Sequence, residues 1–410
     1  MALNLIWIIF FLIAFIVALI RLIFFGDTEI FKTIIDGVFD SAGSSVQIAI
    51  GLIGILAMFL GFLNIGEKAG AINFLSRLIG PFFNKLFPEV PKNHPAMGHM
   101  VMNFSANLLG LDNAATPFGL KAMKSLQELN PSKDTASNAQ IMFMVLHASG
   151  LTIIPVSIIA QRAILKSTDP TSIFIPCMIV TFVATVVALS VVALKQKINL
   201  LQPVILLWVG GISVLIGALV YFLRVHSNYI DPFSKTFSNG LILLLFVVFI
   251  IGGMVRRINV YESFIEGAKQ GFQVAITIIP YLVAMLVAIS VIRSCGVMDF
   301  IVSGIGSFFH MLGINTDFVP AIPTALMRPL SGAAGRGMMI TAMTQYGPDS
   351  FVGKLACIFQ GTTDSTFYIV ALYFGSVGIS KVRYSIPVSL LADLAAIVTA
   401  ILISYIFFPH

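Results

Sequence analysis

The sequence predicts an all-α integral membrane protein made of two related halves. Three observations carry that prediction. The chain is 58% hydrophobic and only 10% charged, against about 25% charged residues in a soluble domain. Apolar runs recur, each long enough to cross a hydrocarbon core of about 30 Å. And residues 69–87 (AGAINFLSRLIGPFFNKLF) return in altered form as residues 295–313 (CGVMDFIVSGIGSFFHMLG), identical at seven of 19 positions without a gap. FKTIIDG at 31–37 is matched in the same way by YESFIEG at 261–267. Duplicated halves in a hydrophobic chain point to a transporter-type architecture with its site at the repeat interface.

Taken in order, about nine full spans are expected at 2–25, 44–65, 138–164, 170–195, 202–223, 237–255, 272–293, 351–380 and 384–408. The first run has no basic residue before it and no small-residue cleavage site after it, so it reads as a retained helix. Segments 28–42, 69–87, 258–271 and 297–313 carry charge on one face and Phe, Ile and Leu on the other, as interfacial amphipathic helices do. Segments 95–125 and 318–345 are apolar but broken by polar and Gly/Pro clusters. They read as two re-entrant hairpins, since irregular backbone at membrane depth must be buried in protein or line a cavity.

The expected division is a first half over 1–200, a linking span over 201–236 and a second half over 237–410. The linking span makes the number of crossings between the first helices of the halves odd, so the halves form an inverted repeat. Loops assigned to the inside hold 14 Lys and Arg against 8 outside, which puts the N-terminus in the cytoplasm. The net charge of +6 lies in loops and reads as topology, not as a nucleic-acid footprint. The three cysteines lie in or beside apolar segments with no pairing pattern.

Chemistry concentrates at the breaks. In the first hairpin Asn103, Ser105, Asn107, Asp112, Asn113 and Thr116 cluster. One half-helix should end near Gly110 and another begin at Asn113, with Asp112 and Asn113 as caps and Pro117 in the first turn. Such an N-terminus presents free amides and a positive dipole end. In the second hairpin Ser331 and three glycines make the break, and Arg328 and Arg336 flank it. The GAAGRG spacing fits neither a phosphate loop nor a dinucleotide fingerprint. The two arginines read either as solute contacts or as internal struts paired with Asp112, Asp364 or Asp393.

The next span breaks in both halves. LHASGLTIIP (146–155) supplies Ser149 and Thr152; QGTTDSTFYI (360–369) supplies Gln360, Thr362, Thr363, Asp364, Ser365 and Thr366. Polar side chains this dense in an apolar helix must face protein or water, and Asp364 is the strongest single candidate for function. Asp393 reads as a packing or pairing group. His94 and His99 are five apart and share no helical face. Neither a metal site nor a catalytic triad is legible, so no enzyme activity and no cofactor is expected.

The motifs HPAMGHMVMNFSANLLGLDNAATPFGLKAM and ASGLTIIP resemble the bacterial spore maturation A family. The motifs YESFIEGAKQGFQVAITIIPYLVAMLVAISVIRSCGVMDF, RPLSGAAGRGM and YGPDSFVGKLACIFQGTTDSTFYIVALYFG resemble the spore maturation B family. Together they cover most of 1–195 and 255–410, so the chain looks like a fusion of the two. Both are identified as members of the Gate, or nucleoside-recognition, group, which is similar to the membrane gate of the ferrous-iron transporter B family. The resemblance implies a bacterial inner-membrane protein that recognises a small solute.

The function expected from these readings is secondary or passive movement of a small solute, anionic or nucleoside-like. Asn103, Asn107, Asp112, Asn113, Thr116, Ser149 and Thr152 would face Arg328, Ser331, Arg336, Gln360, Thr362, Thr363, Asp364 and Thr366 across the repeat interface. The expected partners are the lipid bilayer, the solute, a coupling proton or cation and further copies of the chain, with no nucleic acid. The alternative is a non-transporting membrane scaffold for spore or envelope maturation, in which the same polar cluster would be closed and self-paired.

Overall fold

A computed structural model of the protein describes residues 2–110, 112–225 and 230–408. The first half contains α1 (Ala2–Phe25), α2 (Ile30–Lys68), α3 (Ala71–Leu86), α4 (Pro95–Leu108), α5 (Asp112–Leu129), α6 (Asn138–Ala148), α7 (Val156–Ile164) and α8 (Phe174–Gln196). A linking rod follows: α9 (Pro203–Ile205), a π turn at Leu206–Gly210 and α10 (Gly211–Val225). The second half contains α11 (Ile230–Val255), α12 (Val260–Ser294), α13 (Val297–Met311), a 3₁₀ turn at Val319–Ala321, α14 (Ile322–Met327), α15 (Gly332–Tyr346), α16 (Phe351–Gly361), α17 (Thr366–Ser376) and α18 (Ser385–Phe407). The order recurs: an outer helix, a long helix, a short amphipathic helix, a hairpin, a broken helix and a closing helix.

The protein is an all-α integral membrane protein. Among the described residues seven helices are long and apolar enough to cross a membrane. The other two expected spans, 138–164 and 351–380, are each divided by an irregular stretch. Local sequence explains where pieces begin. Ser137 and Gln140 form a reciprocal capping box on α6. Asn259, Ser331 and Ser350 accept backbone N–H groups at the starts of α12, α15 and α16. α3 and α13 each follow a glycine of positive φ, Gly70 at 91° and Gly296 at 88°.

Two expectations need correction. Segments 28–42 and 258–271 are not separate interfacial arms: they are the first turns of α2 and α12, which run unbroken for 39 and 35 residues. No proline separates arm from span in α2, and a glycine such as Gly43 costs only about 1 kcal/mol in a helix. Packing of the two long helices against each other overrides that cost. Pro117 lies inside α5, past its first turn.

The halves pack reciprocally. α2 lies along α12, α1 packs on α12 while its counterpart α11 packs on α2, and α8 packs on α18. α6 touches α18 and, in return, α16 touches α8. This isologous pattern is what a two-fold relation produces. α2 and α12 run antiparallel: Gly37 approaches Ser290 and Ser294, Gly271 approaches Ala57, and Asn64 Nδ2 donates to Ser263 O at 2.6 Å. A salt bridge joins Lys68 to Glu266 near the end of that contact. At Gly267 an added Cβ would stand 2.3 Å from Leu60 O, so the two backbones meet where side chains are smallest.

Candidate functional site

The broken helices cross at their breaks. Asp364 N donates to Ala148 O at 2.8 Å, so backbone left unpaired by one break is satisfied by the other. Gly150 makes this approach possible. Its φ is +64°, and a Cβ there would lie 3.1 Å from Asp364 N. The ends of the two broken helices are tied to each other as well. The loop before α6 binds the loop after α17 through Asp134 and Lys381, and the last turn of α7 binds the loop before α16 through Arg162 and Asp349.

A cavity of about 820 Å³ opens beside the crossing. Its polar wall comes mostly from the turn 328–331, the start of α15 and the break 361–365, with Asn107, His147, Thr152 and Ser157 contributed by the first half. Of the residues expected from sequence, Asn107, Thr152, Arg328, Ser331, Arg336, Gln360, Thr363 and Asp364 line it.

Others do not. Asn103 is buried, its Nδ2 donating to Ala115 O at 2.7 Å. Ser149 is buried against Thr185 Oγ1 at 3.0 Å. Thr362 donates to Phe359 O at 2.9 Å. Thr366 donates to Asp393 Oδ2 at 2.8 Å, and Asp393 serves as the packing partner expected of it. These four are consumed by the fold: Ser149 and Thr362 donate to carbonyls near the ends of α6 and α16, Asn103 to a carbonyl of α5, and Thr366 to a buried carboxylate. Thr116 is not among the lining residues. The side chains of Asp112 and Asn113 lie outside the described residues.

The second half supplies the charges. Arg328 Nη1 donates to Ser365 Oγ at 3.3 Å, and Nη2 lies 3.7 Å from Asp364 Oδ1. Arg328 Nε and Gln360 Oε1 are buried without a hydrogen-bond partner, although both residues face the cavity. Gln360 is 5% exposed, so its orphan oxygen has little access to bulk water. Asp364 turns its other oxygen, Oδ2, toward His147 Nε2 at 3.8 Å and is 41% exposed into the cavity.

Sequence reasoning did not single out His147 or Tyr373, which complete the crossing. His147 Nδ1 lies 2.8 Å from Asn107 Nδ2 and 3.1 Å from Asn103 Oδ1, and Tyr373 OH is 3.3 Å from the ring. The available signal was a histidine closing the apolar run 141–146, immediately before the break. Its partners come from α4 and α17, which no local pattern brings together.

This crossing falls inside the match to a known family. The model of the Gate family, described as nucleoside recognition, matches residues 49–165 and 275–380, more than half of the chain. The chain belongs to the Gate family. Both matched regions contain a hairpin and a broken helix, so the Gate unit occurs twice. Spore maturation protein B of Bacillus subtilis (strain 168) is 45% identical over 171 residues, 42% of this chain and 94% of that protein. Spore maturation protein A of the same strain is 38% identical over 156 residues, 38% of this chain and 80% of that protein. The pair of matches is consistent with a fusion of the two. No solved structure matches the chain.

Proposed function

We propose that this Gate-family protein is a multi-pass bacterial inner-membrane protein that moves a small solute, anionic or nucleoside-like, by secondary or passive transport. The observation that carries the reading is the cavity at the crossing of two broken helices, lined by two arginines, a carboxylate and two buried orphan polar atoms. A buried donor or acceptor with no partner costs about 1–3 kcal/mol, and a bound solute removes that cost. The antiparallel contact of α2 with α12 supports an inverted arrangement of the halves, the arrangement that lets one site face either side.

One observation favours the scaffold alternative: Asn103, Asn107, His147 and Tyr373 pair with one another, so part of the polar cluster is satisfied within the protein. The names of the two relatives fit a role in spore maturation under either reading. The test uses purified full-length protein in liposomes, screened for uptake of nucleosides, small carboxylates and divalent metals. Accumulation of at least one class is expected, and Arg336→Gln should abolish it while eluting as a folded protein. A folded wild-type protein that neither binds nor accumulates any of them supports the scaffold.

A further inference from the structure

Asp364 sits between an arginine and a histidine and fully engages neither. Its Oδ1 is 3.7 Å from Arg328 Nη2 and its Oδ2 is 3.8 Å from His147 Nε2. Both distances exceed the roughly 2.7–2.9 Å of a charge-assisted hydrogen bond. A shift of about 1 Å either way therefore closes one pair and opens the other. Asp364 also ends the hydrogen bond from Ser365 N at 2.8 Å, which fixes where its carboxylate can pivot.

The surroundings of His147 suit both of its protonation states. Its Nδ1 is flanked by a donor, Asn107 Nδ2 at 2.8 Å, and by an acceptor, Asn103 Oδ1 at 3.1 Å. A neutral ring protonated on Nε2 accepts from Asn107. An imidazolium, which donates from both nitrogens, turns Nδ1–H to Asn103 and Nε2–H to Asp364. Neither state requires repacking of α4 or α6. The other groups facing the ring are Tyr373 of α17 and, behind Asp364, Arg328. Asp393 of α18 is held by Thr366, and Ser149, which follows α6, and Thr185 of α8 are paired with each other.

We infer that His147 is the proton-binding residue of the site and that the proton is taken up together with a small anion, a coupling that rests on the transport reading above. While His147 is neutral, Asp364 masks Arg328, and an anion at Arg328 meets a carboxylate. A proton from the aqueous phase, added to the ring nitrogen, draws Asp364 to the imidazolium. Arg328 is then open to an anion, with its orphan Nε as one donor and Ser331 at the start of α15 beside it. Arg336 lines the same cavity and favours the same sign of ligand. By linkage, anion binding and protonation strengthen each other by the same factor.

Sulfate and formate are suitable probes because both stay ionised across the range in which an imidazole titrates. Binding to the full-length protein should tighten about tenfold per pH unit on acidification until His147 is protonated, then level off. His147→Gln should bind weakly and without pH dependence. Asp364→Asn removes the mask, and should bind without pH dependence and at least as tightly as the acidified wild type. Retained pH dependence in folded His147→Gln, or in Asp364→Asn if the histidine variant does not fold, overturns the inference. A neutral nucleoside is run in parallel. Nucleoside binding with no anion binding overturns the coupling and leaves the transport reading standing; binding of neither probe class overturns both.

Discussion

The two ends at which the broken helices are tied occupy equivalent places in the duplicated order and are built from different chemistry. At one end Arg162 is fully buried and donates to six oxygens: Pro170 O, Pro348 O, Ser167 Oγ, Asp169 O, Ser172 Oγ and Asp349 Oδ1, at 2.6–3.1 Å. At the other end the backbone does the holding. Ser380 N and Lys381 N both donate to Asp134 O, and Ala136 N donates to Lys381 O, around a single parallel bridge between Thr135 and Lys381. The side-chain pair there, Asp134 Oδ2 with Lys381 Nζ at 2.7 Å, is exposed. A duplicated architecture therefore conserves which loops meet without conserving what joins them. One junction is centred on a buried guanidinium, with Ser167 and Thr168 adding hydrogen bonds to Asp349; the other is spread over backbone groups that no side-chain substitution removes.

The sharpest way to break that contrast is Arg162→Met. It keeps the apolar stem and removes every donor, leaving five neutral acceptors and a carboxylate without their partner. Removing one member of a buried pair costs about 3–5 kcal/mol. Partial exposure of Asp349 puts this site near the low end, about 3 kcal/mol. The measurement is the thermal midpoint of the purified protein in detergent. If Arg162→Met and Lys381→Gln shift it equally, the two junctions are not different in kind.

Acid gives the next largest effect. Burial raises the Asp349 carboxyl, but hydrogen bonds from Ser167 and Thr168 and the charge of Arg162 outweigh it, and the group titrates below the usual carboxylate range. A depressed folded-state value means that stability is complete above the unfolded-state pKa and is lost as pH falls through the folded-state one. Thermal stability should therefore decline on acidification below about pH 4, and Asp349→Asn should flatten that decline while lowering the neutral-pH midpoint. An unchanged acid limb in Asp349→Asn would remove this carboxylate from the comparison.

Much of this was legible in the sequence and some was not, for reasons that particular residues make plain. Both hairpins and both breaks were visible because polar and glycine clusters interrupt apolar runs: Gly110, Ser331 and the QGTTDST stretch all mark real interruptions. That density did not say which hydroxyls face the cavity. Thr363 does, whereas Thr362 and Thr366 on either side cap carbonyls or bind Asp393. Facing is decided by a one-residue change of direction at the break, beyond the reach of spacing. Arg162 fell at the end of the expected span 138–164 and was not singled out. The STDPTS stretch after it was the missed clue, since four of its residues, Ser167, Asp169, Pro170 and Ser172, close over the guanidinium. The length of α2 was misjudged for the opposite reason: its partner, α12, lies more than 200 residues away in sequence, and only that partner makes 39 helical residues worth forming.

The smallest expected effect tests the exposed junction. Lys381 hydrogen-bonds Asp134 and holds its carboxyl below the usual range, and the ammonium is raised in turn by the same contact. Both groups are open to water, where an ion pair is offset by the entropy of fixing two side chains and is screened by salt. Lys381→Gln removes the charge but leaves Lys381 N, Lys381 O and the backbone bridge at that position in place. The thermal midpoint should be indistinguishable from wild type at 0.15 M salt, and 1 M salt should not separate the two proteins. Arg383 Nη1 still donates to Ala136 O at 3.1 Å and to Asn138 Oδ1 at 3.0 Å, so the start of α6 remains tethered in the variant. A large loss in Lys381→Gln would mean that the exposed pair, and not the backbone, holds this end, and the asymmetry between the junctions would vanish.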